Sequence, residues 1–229
     1  MKDIFDATLI LFDFDGVLVN TEQNHYLAYK TMVESRGFNF QWDFTRYCQA
    51  AHYISTGLRD QIYEEYPALE QQEPNWEVLY EEKKANYSNL IEEGGVALMP
   101  GVESYLRYLD DNNIKRCVVT HSPLKHISMI RKQLPLLDTI PNWITREDYD
   151  KPKPSAECYL KAIDKLGVYG DRIIGYEDTP RGLQALLKTS AQSVLVCTAN
   201  YPEIIEYVKR GVWHYPSFET ILDNDKNRD

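Results

Sequence analysis

Thr8-Leu9-Ile10-Leu11-Phe12-Asp13-Phe14-Asp15-Gly16-Val17 is the stretch that decides the fold. Five residues with little polarity run without alternation, which reads as a strand buried on both faces, the kind found in parallel sheets. Two carboxylates follow, two residues apart. Near the end of a strand such positions share a side, so Asp13 and Asp15 can both face a site beyond the carboxyl edge of a sheet. Gly16 permits a sharp turn next. By itself the segment is equally consistent with an ordinary Asp-Gly turn closing a strand.

Further apolar runs recur downstream at Arg116–Val119, Asn142–Ile144, Arg172–Gly175 and Ser193–Cys197. Between them lie helical patterns. Val102, Tyr105, Leu106 and Leu109 are spaced helically in 101–111, as are Tyr159, Leu160, Ile163 and Leu166 in 155–166. Leu183, Leu186 and Leu187 do the same in 179–187. Strand and helix in alternation predict an α/β fold, a doubly wound Rossmann-like parallel sheet with helices on both faces. Residues 20–98 break the rhythm. They are rich in Tyr, Glu, Lys and Gln, with amphipathic patterns near 22–36 and 76–91, and read as a helical cap inserted after the first strand. The expected division is a core of 1–19 and 99–229 around a cap of 20–98. Residues 223–229 read as a polar, frayed tail.

The bulk composition sets limits. The chain has 229 residues and is 43% hydrophobic, enough for one sizeable core and a modest inserted module. Its formal charge of −10 disfavours nucleic acid as a partner. No apolar run approaches a membrane span, and the acidic first residues do not suit a signal peptide, so a cytoplasmic protein without a membrane partner is expected. A monomer is the expected state. Cys48, Cys117, Cys158 and Cys197 show no metal-ligand spacing and read as reduced structural thiols.

Three more segments bear polar groups just past candidate strands. Thr120-His121-Ser122 offers hydroxyls and backbone N–H groups that can hold phosphate oxygens, or a plain turn. In Asp150-Lys151-Pro152-Lys153-Pro154 prolines stiffen a loop that could aim a lysine, or form a solvated basic turn. Glu177-Asp178 precede Thr179 and Pro180, a helix cap and first helical residue. The two acids can favour the helix N-terminus or, as hard oxygen donors, hold Mg²⁺. In a chain of this net charge, a phosphate site must make its own positive potential from a metal ion, lysines and backbone N–H groups.

Together, DxDG at Asp13–Gly16, the strand-end Thr120, KPxP at Lys151–Pro154 and the late acidic pair resemble the haloacid dehalogenase-like hydrolase superfamily. KPxP and Glu177–Leu186 look especially close to the branch with β-phosphoglucomutase and sugar-phosphate phosphatases. The resemblance implies a phosphatase of a small phosphorylated metabolite, with Asp13 as nucleophile and Asp15 as general acid and base. Thr120 and Lys151 would bind the phosphoryl group; the KPxP pattern puts its lysine first, ahead of Lys153. Mg²⁺ would be held by Asp13, the Asp15 carbonyl and Asp178, with Glu177 direct or through water. In the cap, His25 and Arg59 match substrate-facing places of the branch, and His121 and Ser122 would lie at the leaving group. Lys83 and Lys84 read first as a solvated helix face. Asn20 stands where the family usually has Asp, and His121 where it has a smaller residue or Asn. A sugar phosphomutase is the nearest rival, and a catalytically silent binding protein the rival from another class.

Overall fold

The computed structural model describes residues 4–53, 56–199 and 201–226. Six strands form one sheet: β1 (Leu9–Phe12), β2 (Lys115–Val119), β3 (Asn142–Ile144), β4 (Ile173–Glu177), β5 (Gln192–Val196) and β6 (Trp213–Tyr215). Their order is β3-β2-β1-β4-β5-β6, and every neighbouring pair is parallel. The first five coincide with the apolar runs of the sequence. β6, with its Trp213-His214-Tyr215, is a three-residue edge strand whose middle residue is exposed, so it has no apolar run to announce it.

The chain runs from β1 outward to β2 and β3, then returns to lay β4 on the other side of β1. The carboxyl ends of β1 and β4 therefore lie at the switch point of the sheet, where open α/β sheets form their crevice.

All four residues of β1 are buried. Leu9 and Leu11 point into an apolar layer with Cys117, Val119, Cys158, Tyr159, Ala162 and Leu186. On the other face Phe12 packs with Tyr105, Tyr176 and Phe218, at ring-centroid distances of 5.4 Å to Tyr176 and 6.1 Å to Tyr105 and Phe218. The buried hydroxyls of Tyr105 and Tyr176 lie 2.7 Å apart and satisfy one another.

The chain divides into two compact units, Met1–Asn20 with Ala97–Asp229, and Thr21–Val96. Asn20, Ala97 and Leu98 thus go with the sheet rather than with the insertion. The reason is local pairing: Asn20 N donates to Ala97 O (3.0 Å), Ala97 N donates to the Asn20 carboxamide oxygen (2.6 Å), and Val19 and Leu98 form an antiparallel bridge.

The inserted unit contains α1 (Glu22–Ser35), α2 (Phe44–Ala51), α3 (Gly57–Glu65), α4 (Pro67–Gln72) and α5 (Trp76–Glu92). Its core is largely aromatic, built from Tyr29, Phe40, Trp42, Tyr47 and Tyr63 with Met32, Val33, Ile62, Leu69 and Leu79. The sheet unit carries α6 (Val102–Asp111), α7 (Leu124–Gln133), α8 (Glu157–Leu166), α9 (Pro180–Leu186), α10 (Ile204–Lys209) and α11 (Phe218–Lys226). α11 carries helical backbone through Lys226, past Asp223 where a frayed tail was expected; residues 227–229 lie outside the described residues.

α6 begins after Gly101, whose φ of 82° is left-handed. A Cβ there would sit 2.2 Å from the backbone nitrogen of Glu219. Gly101→Ala combines a left-handed penalty of roughly 1–2 kcal/mol with this backbone collision. It is expected to lower the thermal unfolding midpoint by several degrees, and a midpoint within a degree of wild type would refute the close approach.

Candidate active site

Parallel register builds the site. Phe12 pairs with Tyr176, so the next residues, Asp13 and Glu177, come side by side at the end of β1 and β4. The Asp13 N–H donates to Tyr176 O (2.9 Å), which continues the ladder one residue past the strand. Side-chain alternation then sets direction. Asp13 follows Leu9 and Leu11 onto the face covered by α8, and Glu177 follows Ile173 and Gly175 onto the same face. Two carboxylates are thus brought together where little water reaches.

Lys153 separates them. Its buried ammonium donates to Asp13 Oδ1 (2.9 Å) and to Val119 O (3.0 Å), and lies 2.8 Å from Glu177 Oε1. Tyr159, on α8, places its hydroxyl 3.2 Å from the ammonium and donates to Glu177 Oε1. Burial works against the charge of Lys153, but Asp13 and Glu177 outweigh it and raise the pKa, so the group is an ammonium. Removing that charge would strand two close carboxylates, at a cost of roughly 3–5 kcal/mol. The Tyr159 phenol is held protonated, by burial first and then by the charges of Glu177 and Asp13.

Lys151 is not the lysine at Asp13. It is exposed, and its backbone N–H donates to Glu157 Oε2 (2.9 Å). The sequence signal for Lys153 is the proline on each side, Pro152 and Pro154, where Lys151 has one. That double restraint limits the backbone freedom lost in aiming a lysine inward. In the sequence Tyr159 marks an apolar position of a helix. Its hydroxyl needed a partner if buried, and that was the available hint.

Asp15 lies just before the turn at Gly16 (φ 75°) and accepts from Ser122 Oγ at 2.5 Å. Ser122 N in turn donates to Thr120 Oγ1 (2.9 Å), and Thr120 is fully buried. Asp15, Thr120 and Ser122 are therefore linked by hydrogen bonds at the ends of β1 and β2. The His121 ring lies 5.7 Å from that of Tyr149, and its buried Nε2 has no hydrogen-bond partner among the described residues. Burial, then the positive charges of Lys153, Arg181 and Arg146, push its pKa down to about 2, which leaves a neutral imidazole.

The remaining predicted residues belong to the inserted unit. His25 stacks on Tyr87 (centroids 4.0 Å) and shares a hydrogen bond with Lys83 through Nδ1 (2.7 Å). Lys83 is 5% exposed, not on a solvated helix face, because its ammonium packs against the rings of Tyr29 and Tyr87 at 5.0 and 4.9 Å. Lys84 does lie near the surface and pairs with Glu81. Arg59 is exposed on α3, in an ion pair with its neighbour Asp60 at 2.7 Å.

The site fits a divalent cation. Asp13, Glu177 and Asp178 each offer a carboxylate oxygen, and these atoms lie within 4.8 Å of one another. Glu177 Oε2 is buried and has no hydrogen-bond partner among the described residues. Burial first, then Glu177 and Asp15 acting against Lys153, push the Asp13 carboxyl up to about 7. A cluster so short of positive charge, built from hard oxygen donors, suits Mg²⁺.

Residues 10–196 match the haloacid dehalogenase-like hydrolases. The chain belongs to that family. Among this family, the chain is 27% identical over 179 residues to the phosphorylated carbohydrates phosphatase of Thermotoga maritima, covering 77% of this chain and 78% of the relative. It is 25% identical over 182 residues to the β-phosphoglucomutase of Bacillus subtilis, covering 77% of each. A solved structure of a hydrolase from Pseudomonas syringae superposes with a TM-score of 0.74 at 22% identity, covering 96% of this chain and 99% of that one. The fold is thereby shared along nearly the whole length. No helix among the described residues is long and apolar enough to cross a membrane.

The two lysines of the proline loop give a direct check. Lys153→Met is expected to lower turnover of an aryl phosphate by about a hundredfold or more, the scale on which an active-site donor acts. Lys151→Met should stay within about twofold, since its side chain is exposed. Equal losses from the two changes would contradict the placement of the ammonium.

Proposed function

We propose that this chain is a Mg²⁺-dependent phosphatase that acts on a small phosphorylated metabolite, such as a sugar phosphate, through an aspartyl phosphate on Asp13. One observation carries the reading: the Asp13 carboxylate sits at the switch point of the sheet, 2.9 Å from a buried ammonium and beside Glu177 and Asp178. The family membership and the Thermotoga phosphatase, as a relative, support it.

Mg²⁺ would be held by Asp13, Asp178 and the Asp15 carbonyl, with Glu177 direct or through water, and would supply the positive charge that lets a phosphate approach these acids. An Asp13 carboxylate oxygen attacks phosphorus as the bond to the leaving oxygen breaks. Asp15 gives that oxygen its proton. The carboxylate so formed is held by the Ser122 hydroxyl and then takes a proton from the water that attacks the aspartyl phosphate, which releases phosphate and restores Asp13. Lys153 and Thr120 hold the phosphoryl oxygens. The neutral His121 stands next to them as a group for the leaving alcohol, with Ser122.

The Asp13→Asn variant is expected to show no detectable Mg²⁺-dependent release of nitrophenol from nitrophenyl phosphate, because the amide is a poor nucleophile. Turnover within tenfold of wild type would sink the aspartyl phosphate.

The Bacillus β-phosphoglucomutase relative supports a second reading, a sugar phosphomutase that returns the phosphoryl group from Asp13 to sugar. The first half of the chemistry is common to both. With β-glucose 1-phosphate as the substrate, free phosphate is expected as the main product. Predominant glucose 6-phosphate would favour the mutase.

A further inference from the structure

The Lys153 ammonium has three N–H donors. Asp13 Oδ1, Val119 O and the Tyr159 hydroxyl, at 2.9, 3.0 and 3.2 Å, accept all three, and Glu177 Oε1 lies 2.8 Å from the nitrogen as an ion-pair partner. The Tyr159 hydroxyl, which accepts from that nitrogen, spends its own proton on Glu177 Oε1. Glu177 Oε1 therefore has the phenol as its hydrogen-bond donor and the ammonium as its ion-pair partner, while Lys153 has no N–H to spare for a substrate. To hold a phosphoryl oxygen, Lys153 must withdraw one N–H. Of its three acceptors, the Tyr159 hydroxyl is the longest contact and keeps a hydrogen bond of its own, to Glu177 Oε1, whereas a buried acceptor left with no partner costs free energy.

We infer that Tyr159 is a positioning residue: its hydroxyl keeps Glu177 hydrogen-bonded while Lys153 turns a donor to the phosphoryl group. The inference rests on the phosphoryl-transfer reading above. Without the phenol, the fully buried Glu177 loses its hydrogen-bond donor at Oε1, is left with the Lys153 ammonium 2.8 Å away, and draws an N–H from it. The ring itself does a different job, since the ammonium lies 4.9 Å from its centroid and the side chain fills the layer beneath β1. Tyr159→Phe removes the hydroxyl and keeps that packing.

The test is the dissociation constant for inorganic phosphate, measured by calorimetry on the full chain in Mg²⁺. Tyr159→Phe is expected to weaken phosphate binding about tenfold, the scale of one hydrogen bond to a charged group. In a Lys153→Met background the same change should matter less than about twofold, because the lysine it acts through is gone. A role in shape alone would give equal losses in the two backgrounds and would overturn the inference, as would unchanged affinity in Tyr159→Phe. If Lys153→Met does not fold, Glu177→Gln serves as the second background. Its uncharged amide holds Lys153 weakly with or without the phenol, so the Tyr159 effect should shrink there too, and an undiminished loss would count against the inference. A wild-type chain that neither binds phosphate nor hydrolyses an aryl phosphate would remove the phosphoryl-transfer reading and this inference with it. Wild-type hydrolysis together with an unaltered Tyr159→Phe affinity would remove the Tyr159 role alone.

Discussion

Asp13 and Glu177 stand next to each other because their strands are parallel neighbours in register, and parallel strands run about 4.8 Å apart. Two carboxylates at that spacing, with little water between them, repel strongly unless a cation intervenes. Lys153 is that cation, and much of the surrounding structure serves to keep it there. Val119 O takes one of its donors, the Tyr159 ring lies against it, and prolines on both sides restrain its backbone. The same crowding of acids that needs a lysine also suits a divalent ion, since Asp178 adds a further carboxylate and Glu177 Oε2 has no hydrogen-bond partner among the described residues.

The two faces of the sheet divide the work. On the Phe12 face the aromatic rings of Tyr105, Tyr176 and Phe218 form a packed layer whose hydroxyls pair with each other. On the Leu11 face the packing of α8 continues upward into polar chemistry, with Tyr159 belonging to both. A helix that buries one side of β1 thus also delivers the groups that meet Asp13. The acidic balance of the whole chain makes these local cations necessary: in a protein of formal charge −10, a phosphate site depends on positive groups placed by the fold.

Several features could be read from the residues. Uninterrupted apolar runs marked five of the six strands, because strands buried on both faces cannot alternate. Polar residues just past those runs marked the carboxyl edge of the sheet. The Thr179-Pro180 pair marked the start of α9, where Thr179 accepts from Gly182 N (3.2 Å). β6 gives little apolar signal because it is a three-residue edge strand with an exposed residue between two half-buried ones. The buried Lys83 gives no sign of burial because a lysine in an amphipathic helix reads as solvated unless its ring neighbours, three of them tyrosines, are known to gather round it.

The sequence by itself determined the strand-and-helix alternation, the helical insertion and the set of acids, hydroxyls and lysines that end the strands, since each depends on local periodicity or on neighbours in the chain. Which lysine meets Asp13 was decided only by tertiary structure. Lys151 and Lys153 are two residues apart in one stiff loop, and local chemistry scarcely separates them. The choice falls to long-range geometry: Lys153 is buried against β1, β2 and β4, whereas Lys151 is exposed. The partnership of Tyr159 with Glu177 has the same origin, because it joins a helix to a strand that meet through the packing of the sheet and not through proximity in sequence.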